Sequence, residues 1–265
     1  MATQTTTQAA GRRPPPRRPH VALLAMEAPR AAAELAGFAA FRPVLERAPM
    51  GDGHPVLVLP GLGGDDRSTM PMRGYLRRLG YAVHGWGLGT NTISRQLVMR
   101  LGDRFAELYE RHDRQPISLV GWSLGGIYAR EIARARPWTV RQVITLGSPF
   151  RESPGEESHP TAWIRAMYPN LPRRQLNQSA LAVPSTAIFS RTDGIVPWRA
   201  SRDVAAARTE SVEVVSSHVG LGHHPGALWA IADRLAQPSG EWTPFKPPLA
   251  LAALYPRRRR PTSGA

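Results

Sequence analysis

A chain of 265 residues, 42% of them hydrophobic and 20% charged, is long enough to bury one large α/β core. The absence of cysteine excludes disulfides, thiol catalysis and cysteine-based metal sites. The formal net charge is +14, but more than half of it lies in two tails without acidic residues: Arg12, Arg13, Arg17 and Arg18 at one end, Arg257, Arg258, Arg259 and Arg260 at the other.

Residues 1–19 read as a disordered basic, proline-rich tail. Lys246 is the sole lysine, so arginine replaces lysine throughout. Such usage reflects compositional bias rather than an arginine-specific surface, and no specific nucleic-acid partner is expected. Arg17-Arg18 precede a short apolar run, Val21 to Met26, which Glu27 and Arg30 end too early for an export signal, whose apolar region needs roughly 7–15 residues. No run reaches the roughly 20 apolar residues of a membrane helix. A cytoplasmic protein is expected, with transient membrane contact left open.

Residues 26–40 carry helical spacing at Leu35, Phe38, Ala39 and, just beyond, Phe41. His54 to Leu59 is a continuous β-branched run, as in a strand buried on both faces, and Pro60-Gly61-Leu62-Gly63-Gly64 ends it. A helix over 70–79, a strand over 80–85, a helix over 93–109 and a strand over 117–120 follow. Gly121-Trp122-Ser123-Leu124-Gly125 comes next, then a helix over 127–135 and a strand over 140–146. The alternation breaks over 151–182, which reads as a lid or cap inserted after a strand's carboxyl end, where ligands bind in such sheets. It resumes with a strand over 185–190, a helix over 198–207, a strand over 212–215 and a last helix through Leu235. The sum is an α/β fold with a mostly parallel sheet of about six strands covered by helices on both faces. The domain spans 20–245, and 246–265 form a proline- and arginine-rich C-terminal tail.

Strand, G-x-S-x-G, then helix is the context of a nucleophile elbow, in which a sharp turn lifts a serine above the sheet. Ser123 is therefore the candidate nucleophile. A serine hydroxyl needs a base, an orienting acid and donors for the developing oxyanion. Asp193, in Thr192-Asp193-Gly194, follows a strand and is the candidate acid, with Asp203 as competitor. His218 is the candidate base, with His223 next in line. The adjacent His223 and His224 suggest metal, but further ligands are not evident in the sequence nearby, and no cofactor is expected. The Leu62 and Leu124 amides are the candidate oxyanion donors. Trp122, Trp163, Met167 and Tyr168 are the candidate substrate-binding residues, and Trp86 and Asn91 are placed to line the same cleft.

The chain resembles the α/β-hydrolase superfamily, in its lipase and esterase-like branch. The resemblance rests on V-L-V-L-P-G-L-G-G at 56–64, G-W-S-L-G-G at 121–126, T-L-G-S-P-F at 145–150, T-D-G-I-V-P at 192–197 and S-H-x-G-L at 217–221. It implies Ser123 as nucleophile, Asp193 as acid, His218 as base, and Leu62 and Leu124 as oxyanion amides. It also implies a serine hydrolase of carboxylic esters, working through an acyl-enzyme on a small-molecule or lipid ester. An acyltransferase with the same triad and a non-catalytic binding protein on the same scaffold are the alternatives. One departure is visible: a helix, rather than an antiparallel strand pair, precedes the first strand, which implies a minimal sheet.

Overall fold

The computed structural model describes residues 17–151, 155–162 and 177–256. Six strands form one sheet: β1 (Pro55–Leu59), β2 (Ala82–Gly85), β3 (Ile117–Trp122), β4 (Val140–Leu146), β5 (Ser185–Phe189) and β6 (Thr209–Glu213). Their order is β2-β1-β3-β4-β5-β6 and every pair is parallel. β1 and β5 are buried at every position, as strands covered on both faces must be.

Helices α1 (Val21–Ala25), α2 (Glu27–Ala40) and α3 (Arg42–Leu45) precede the sheet. α4 (Met70–Arg78), α5 (Arg95–Arg111), α6 (Leu124–Ala135) and α7 (Pro225–Leu235) connect or follow its strands. In α5, Leu97, Leu101, Phe105 and Leu108 return to one face and are buried, and the Ser94 hydroxyl caps the helix by accepting from the Leu97 amide at 3.1 Å. That face joins Leu57, Leu119 and Val143 in one core. Val56, Val58, Val120 and Ile188 build the second core on the opposite face, with Met72 of α4 and Ile231 of α7. Successive strand residues alternate between these two cores because side chains along a strand alternate in direction.

Two stretches differ from expectation. Residues 198–207 do not form a helix: Trp198–Ser201 is a single 3₁₀ turn, and the chain then runs irregularly to β6. The cause is Asp203, whose carboxylate is drawn inward to Arg130 of α6 at 2.7 and 3.2 Å while its amide donates to Ser211 Oγ at 3.0 Å. Residues 249–254, within the segment assigned to the C-terminal tail, form a 3₁₀ turn that buries Leu251, and Tyr255 then donates to the Gly226 carbonyl at 2.6 Å.

The chain enters the sheet at β1, moves outward to β2, then crosses back to β3 on the other side of β1. β1 and β3 therefore flank a switch point, and the crevice beyond their carboxyl ends is where ligands bind in open parallel sheets. The loop 60–64 and Ser123 both lie there.

Candidate active site

Ser123 occupies the turn between β3 and α6 with φ 52° and ψ −119°. A non-glycine residue held at positive φ is costly and persists only where its surroundings fix it. Here the Ser123 amide donates to the Leu146 carbonyl at 2.8 Å, and the Ser123 carbonyl accepts from the Gly126 amide at 3.0 Å. The flanking glycines are sterically required: a side chain on Gly121 would collide with the Gly126 backbone, and one on Gly125 with the Leu59 carbonyl. Helix α6 starts at Leu124, three residues earlier than the apolar spacing predicts, because Gly125 and Gly126 belong to its first turn.

Asp193 and His218 meet beside this turn. His218 Nδ1 donates to Asp193 Oδ2 at 2.7 Å, and both side chains are buried. The other carboxylate oxygen, Oδ1, accepts from the Ile195 and Val196 amides at 2.8 and 2.7 Å, so the acid is held from both sides. Gly147, at the end of β4 with φ +54°, makes room for the pair, since a Cβ there would stand 3.0 Å from His218 Nδ1 and 3.2 Å from Asp193 Oδ2. Burial alone lowers the His218 pKa. The Asp193 charge and hydrogen bond, joined by the Glu27 charge, outweigh it and hold His218 above the ordinary histidine value. Among the described residues no hydrogen bond joins Ser123 Oγ to His218, whose Nδ1 is engaged by Asp193; contacts between a serine and its base commonly tighten only in the substrate complex.

His223 is placed elsewhere: its Nε2 donates to the Ala31 carbonyl at 2.9 Å. His224 caps α7 by accepting from the Ala227 amide at 3.3 Å. Asp203 belongs to the buried pair with Arg130. Among the described residues, no group of three or more histidines and carboxylates is arranged to hold a metal ion.

The loop after β1 passes over Ser123, where a Cβ on Gly61 would lie 3.2 Å from Ser123 Cβ. Leu62 is 41% exposed, and neither its amide nor that of Leu124 donates to an acceptor among the described residues. Asn91 fixes this loop: its Nδ2 donates to the Pro60 carbonyl at 2.7 Å, its carbonyl accepts from the Gly63 amide at 2.8 Å, and its amide donates to the Gly64 carbonyl at 2.7 Å. Asn91 and Trp86 are fully buried, so they support the loops and do not line an open cleft. Trp122 reaches across to the histidine loop and donates from Nε1 to the His218 carbonyl at 3.1 Å. Trp163, Met167 and Tyr168 lie outside the described residues.

A second serine-histidine-aspartate chain sits at the other end of the strands. His54 joins Asp52 through Nδ1 and Ser118 Oγ through Nε2 at 2.9 Å. Ser118, the second residue of β3, is fully buried with no access for a substrate. This chain ties β1 to β3 and has no nucleophile's geometry.

No protein-family model and no curated protein sequence matches the chain. Solved structures do. A metagenome-derived lipolytic enzyme superposes with a TM-score of 0.52 at 19% identity, covering 71% of this chain and 93% of its own. A monoacylglycerol lipase from Paleococcus ferrophilus gives 0.51 at 15% identity, covering 71% and 96%. A pyrethroid hydrolase gives 0.50 at 17% identity, covering 68% and 96%. The chain has the α/β-hydrolase fold. In this α/β-hydrolase fold, the six parallel strands place Ser123 in the turn after β3, Asp193 after β5 and His218 after β6. Among the described residues, no helix is long and apolar enough to cross a membrane.

The contribution of α2 leaves no motif in the sequence. Glu27, Arg30 and Glu34 all turn toward the loops that carry Asp193 and His218.

Proposed function

We propose that this protein hydrolyses carboxylic esters through Ser123, His218 and Asp193. The strained turn at Ser123 carries the reading, since nothing in the packing of β3 against α6 calls for a serine at positive φ, whereas a nucleophile presented above a sheet does. His218 takes the Ser123 proton through Nε2 as Oγ attacks the ester carbonyl. Asp193 holds the Nδ1–H tautomer and stabilises the imidazolium. The Leu62 and Leu124 amides stabilise the oxyanion, each contributing about 100- to 1000-fold in rate. The alcohol leaves with the proton from His218, and water then releases the acyl group by the same route in reverse.

The acyl group is assigned to the space beside Leu62, Trp122 and Leu124; Trp163, Met167 and Tyr168, the other candidate substrate-binding residues, lie outside the described residues. The lipolytic enzyme and the monoacylglycerol lipase of the same fold support an ester with an apolar acyl chain as substrate. Turnover of p-nitrophenyl esters of increasing acyl length tests this. Measurable hydrolysis that rises with chain length and disappears in Ser123→Ala is expected. Absence of turnover on every ester, or turnover unaffected by Ser123→Ala, would overturn it.

A further inference from the structure

The catalytic acid and base lie on two loops 25 residues apart, and hydrogen bonding between Asp193 and His218 does not by itself fix where the two loops stand. A carboxylate from a third element does. Glu27, the first residue of α2, is buried, and its Oε1 accepts from both the Gly194 amide at 2.8 Å and the His218 amide at 3.0 Å. Its Oε2 accepts from the Val219 amide at 2.9 Å. One carboxylate thus grips the residue after the acid, the base itself and the residue after the base.

The rest of the α2 face reinforces this grip. Arg30 donates to the Thr192 carbonyl at 2.7 Å and to Thr192 Oγ1 at 2.8 Å, on the residue before the acid. Glu34 accepts from the Ser217 amide and hydroxyl, both at 2.7 Å, on the residue before the base. Residues 27, 30, 31 and 34 share one helical face, and the Ala31 carbonyl holds His223. A buried carboxylate beside a second carboxylate is unfavourable unless donors surround it, and three amides converge here.

We infer that Glu27 is a positioning residue for the Asp193–His218 pair, setting the spacing of the two loops and adding negative charge behind the base. This rests on the hydrolase reading for its consequence in turnover, but not for its physical content. The groups facing His218 are Asp193 from the acid loop and Glu27 from α2, with Glu34 and Arg30 of α2 and His223 of its own loop around them. A helix residue that only stabilised the fold would leave the titration of His218 unchanged. One that positions and charges it would not.

Two variants separate these cases. Glu27→Gln keeps the shape and one acceptor but removes the charge; Glu27→Asp keeps the charge and withdraws it by one methylene. The His218 ring nitrogens are titrated by long-range ¹H–¹⁵N spectroscopy in the wild type and both variants, and amide exchange is followed at Gly194, His218 and Val219. In Glu27→Gln, a folded protein whose His218 pKa falls by roughly half a unit or more is expected, with faster exchange at those three amides. In Glu27→Asp, the pKa is expected to stay nearer the wild-type value. Ester turnover in Glu27→Gln is expected to fall about 10- to 100-fold in kcat with little change in KM. An unchanged His218 titration and unchanged exchange in folded Glu27→Gln would overturn the inference. A wild type that turns over no ester yet shows the expected titration shift would sink the hydrolase reading and leave the positioning role standing.

Discussion

Arg130 of α6 and Asp203 form a two-pronged ion pair in the protein interior, with N–O distances of 2.7 and 3.2 Å and both side chains buried. Ser185 Oγ donates to the same carboxylate at 2.7 Å, and the guanidinium lies 3.9 Å over the Phe150 ring. The pair links the helix that follows Ser123 to the segment that follows the Asp193 loop. Removing one member strands a buried charge, so Asp203→Asn is expected to cost about 3–5 kcal/mol in urea unfolding. The double change Arg130→Met with Asp203→Leu is expected to cost less than either single change. A double variant as unstable as the sum of the singles would contradict this.

The base and the acid are expected to separate in their kinetic effects. Asp193→Asn keeps the shape but favours the wrong His218 tautomer, and is expected to reduce kcat on the order of 10⁴-fold. His218→Ala is expected to reduce it by several orders of magnitude, while His223→Ala, which loses a contact to the Ala31 carbonyl, leaves most of it. Because the neutral imidazole is the base and its pKa is raised, the acid limb of kcat/KM is expected to reach half-height above pH 6.5. Half-height below pH 6 in the wild type would contradict the electrostatics of the Asp193–His218 pair.

Asn91 holds the loop that carries the Leu62 amide, and it does so from beneath, without touching the reacting atoms. Asn91→Leu leaves the Pro60 carbonyl unpaired and is expected to destabilise the protein by about 1–3 kcal/mol. Its kcat is expected to fall at least tenfold through a displaced oxyanion donor, with KM changing far less. A variant of reduced stability with wild-type kcat would separate Asn91 from catalysis.

Stability is expected to depend on pH through histidines held neutral. Burial, with the His223 and Arg30 charges, pushes the His224 pKa down to about 4, against an opposing backbone contact at Val215. A folded-state pKa below the unfolded value of about 6.5 means that the unfolded chain binds the proton first. Its contribution is therefore complete above about pH 6.5 and lost as pH falls toward 4. His84, lowered to about 4 by burial and by its neighbour His112, acts in the same direction. His218, with its raised pKa, acts in the opposite one: its contribution is present below about pH 6.5 and lost as pH rises through the folded value. His224→Asn retains a capping acceptor and is expected to reduce the fall in urea midpoint between pH 7 and pH 5. An undiminished fall would contradict it.

Those features are legible in the sequence that are set by neighbours along the chain. The apolar run of β1, the heptad-like return of Leu97, Leu101, Phe105 and Leu108, and the glycines around Ser123 each carry their own pattern. The pairing of Asp193 with His218, and not with His223, followed from where each lies after its strand. What stayed illegible depends on partners far away in the chain. The polar face of α2 carries no signal of its role in the sequence, because Glu27 and Glu34 bind backbone amides and hydroxyls more than 160 residues distant, and amides leave no mark in sequence. Residues 198–207 read as helical because nothing local shows that Asp203 turns inward to Arg130, 73 residues away. Trp86 and Asn91 follow a strand's carboxyl end, as cleft residues do, yet their hydrogen bonds face Gly89 and Pro60 inside the molecule.

The most direct measurement is the intact mass of the protein after treatment with a fluorophosphonate, with peptide mapping of the adduct. One adduct per chain, on the peptide containing Ser123, lost in Ser123→Ala and greatly slowed in His218→Ala, is the expected result. A wild-type protein that is folded and takes up no adduct, or takes it up on another residue with Ser123 intact, would contradict the assignment of Ser123 as an activated nucleophile.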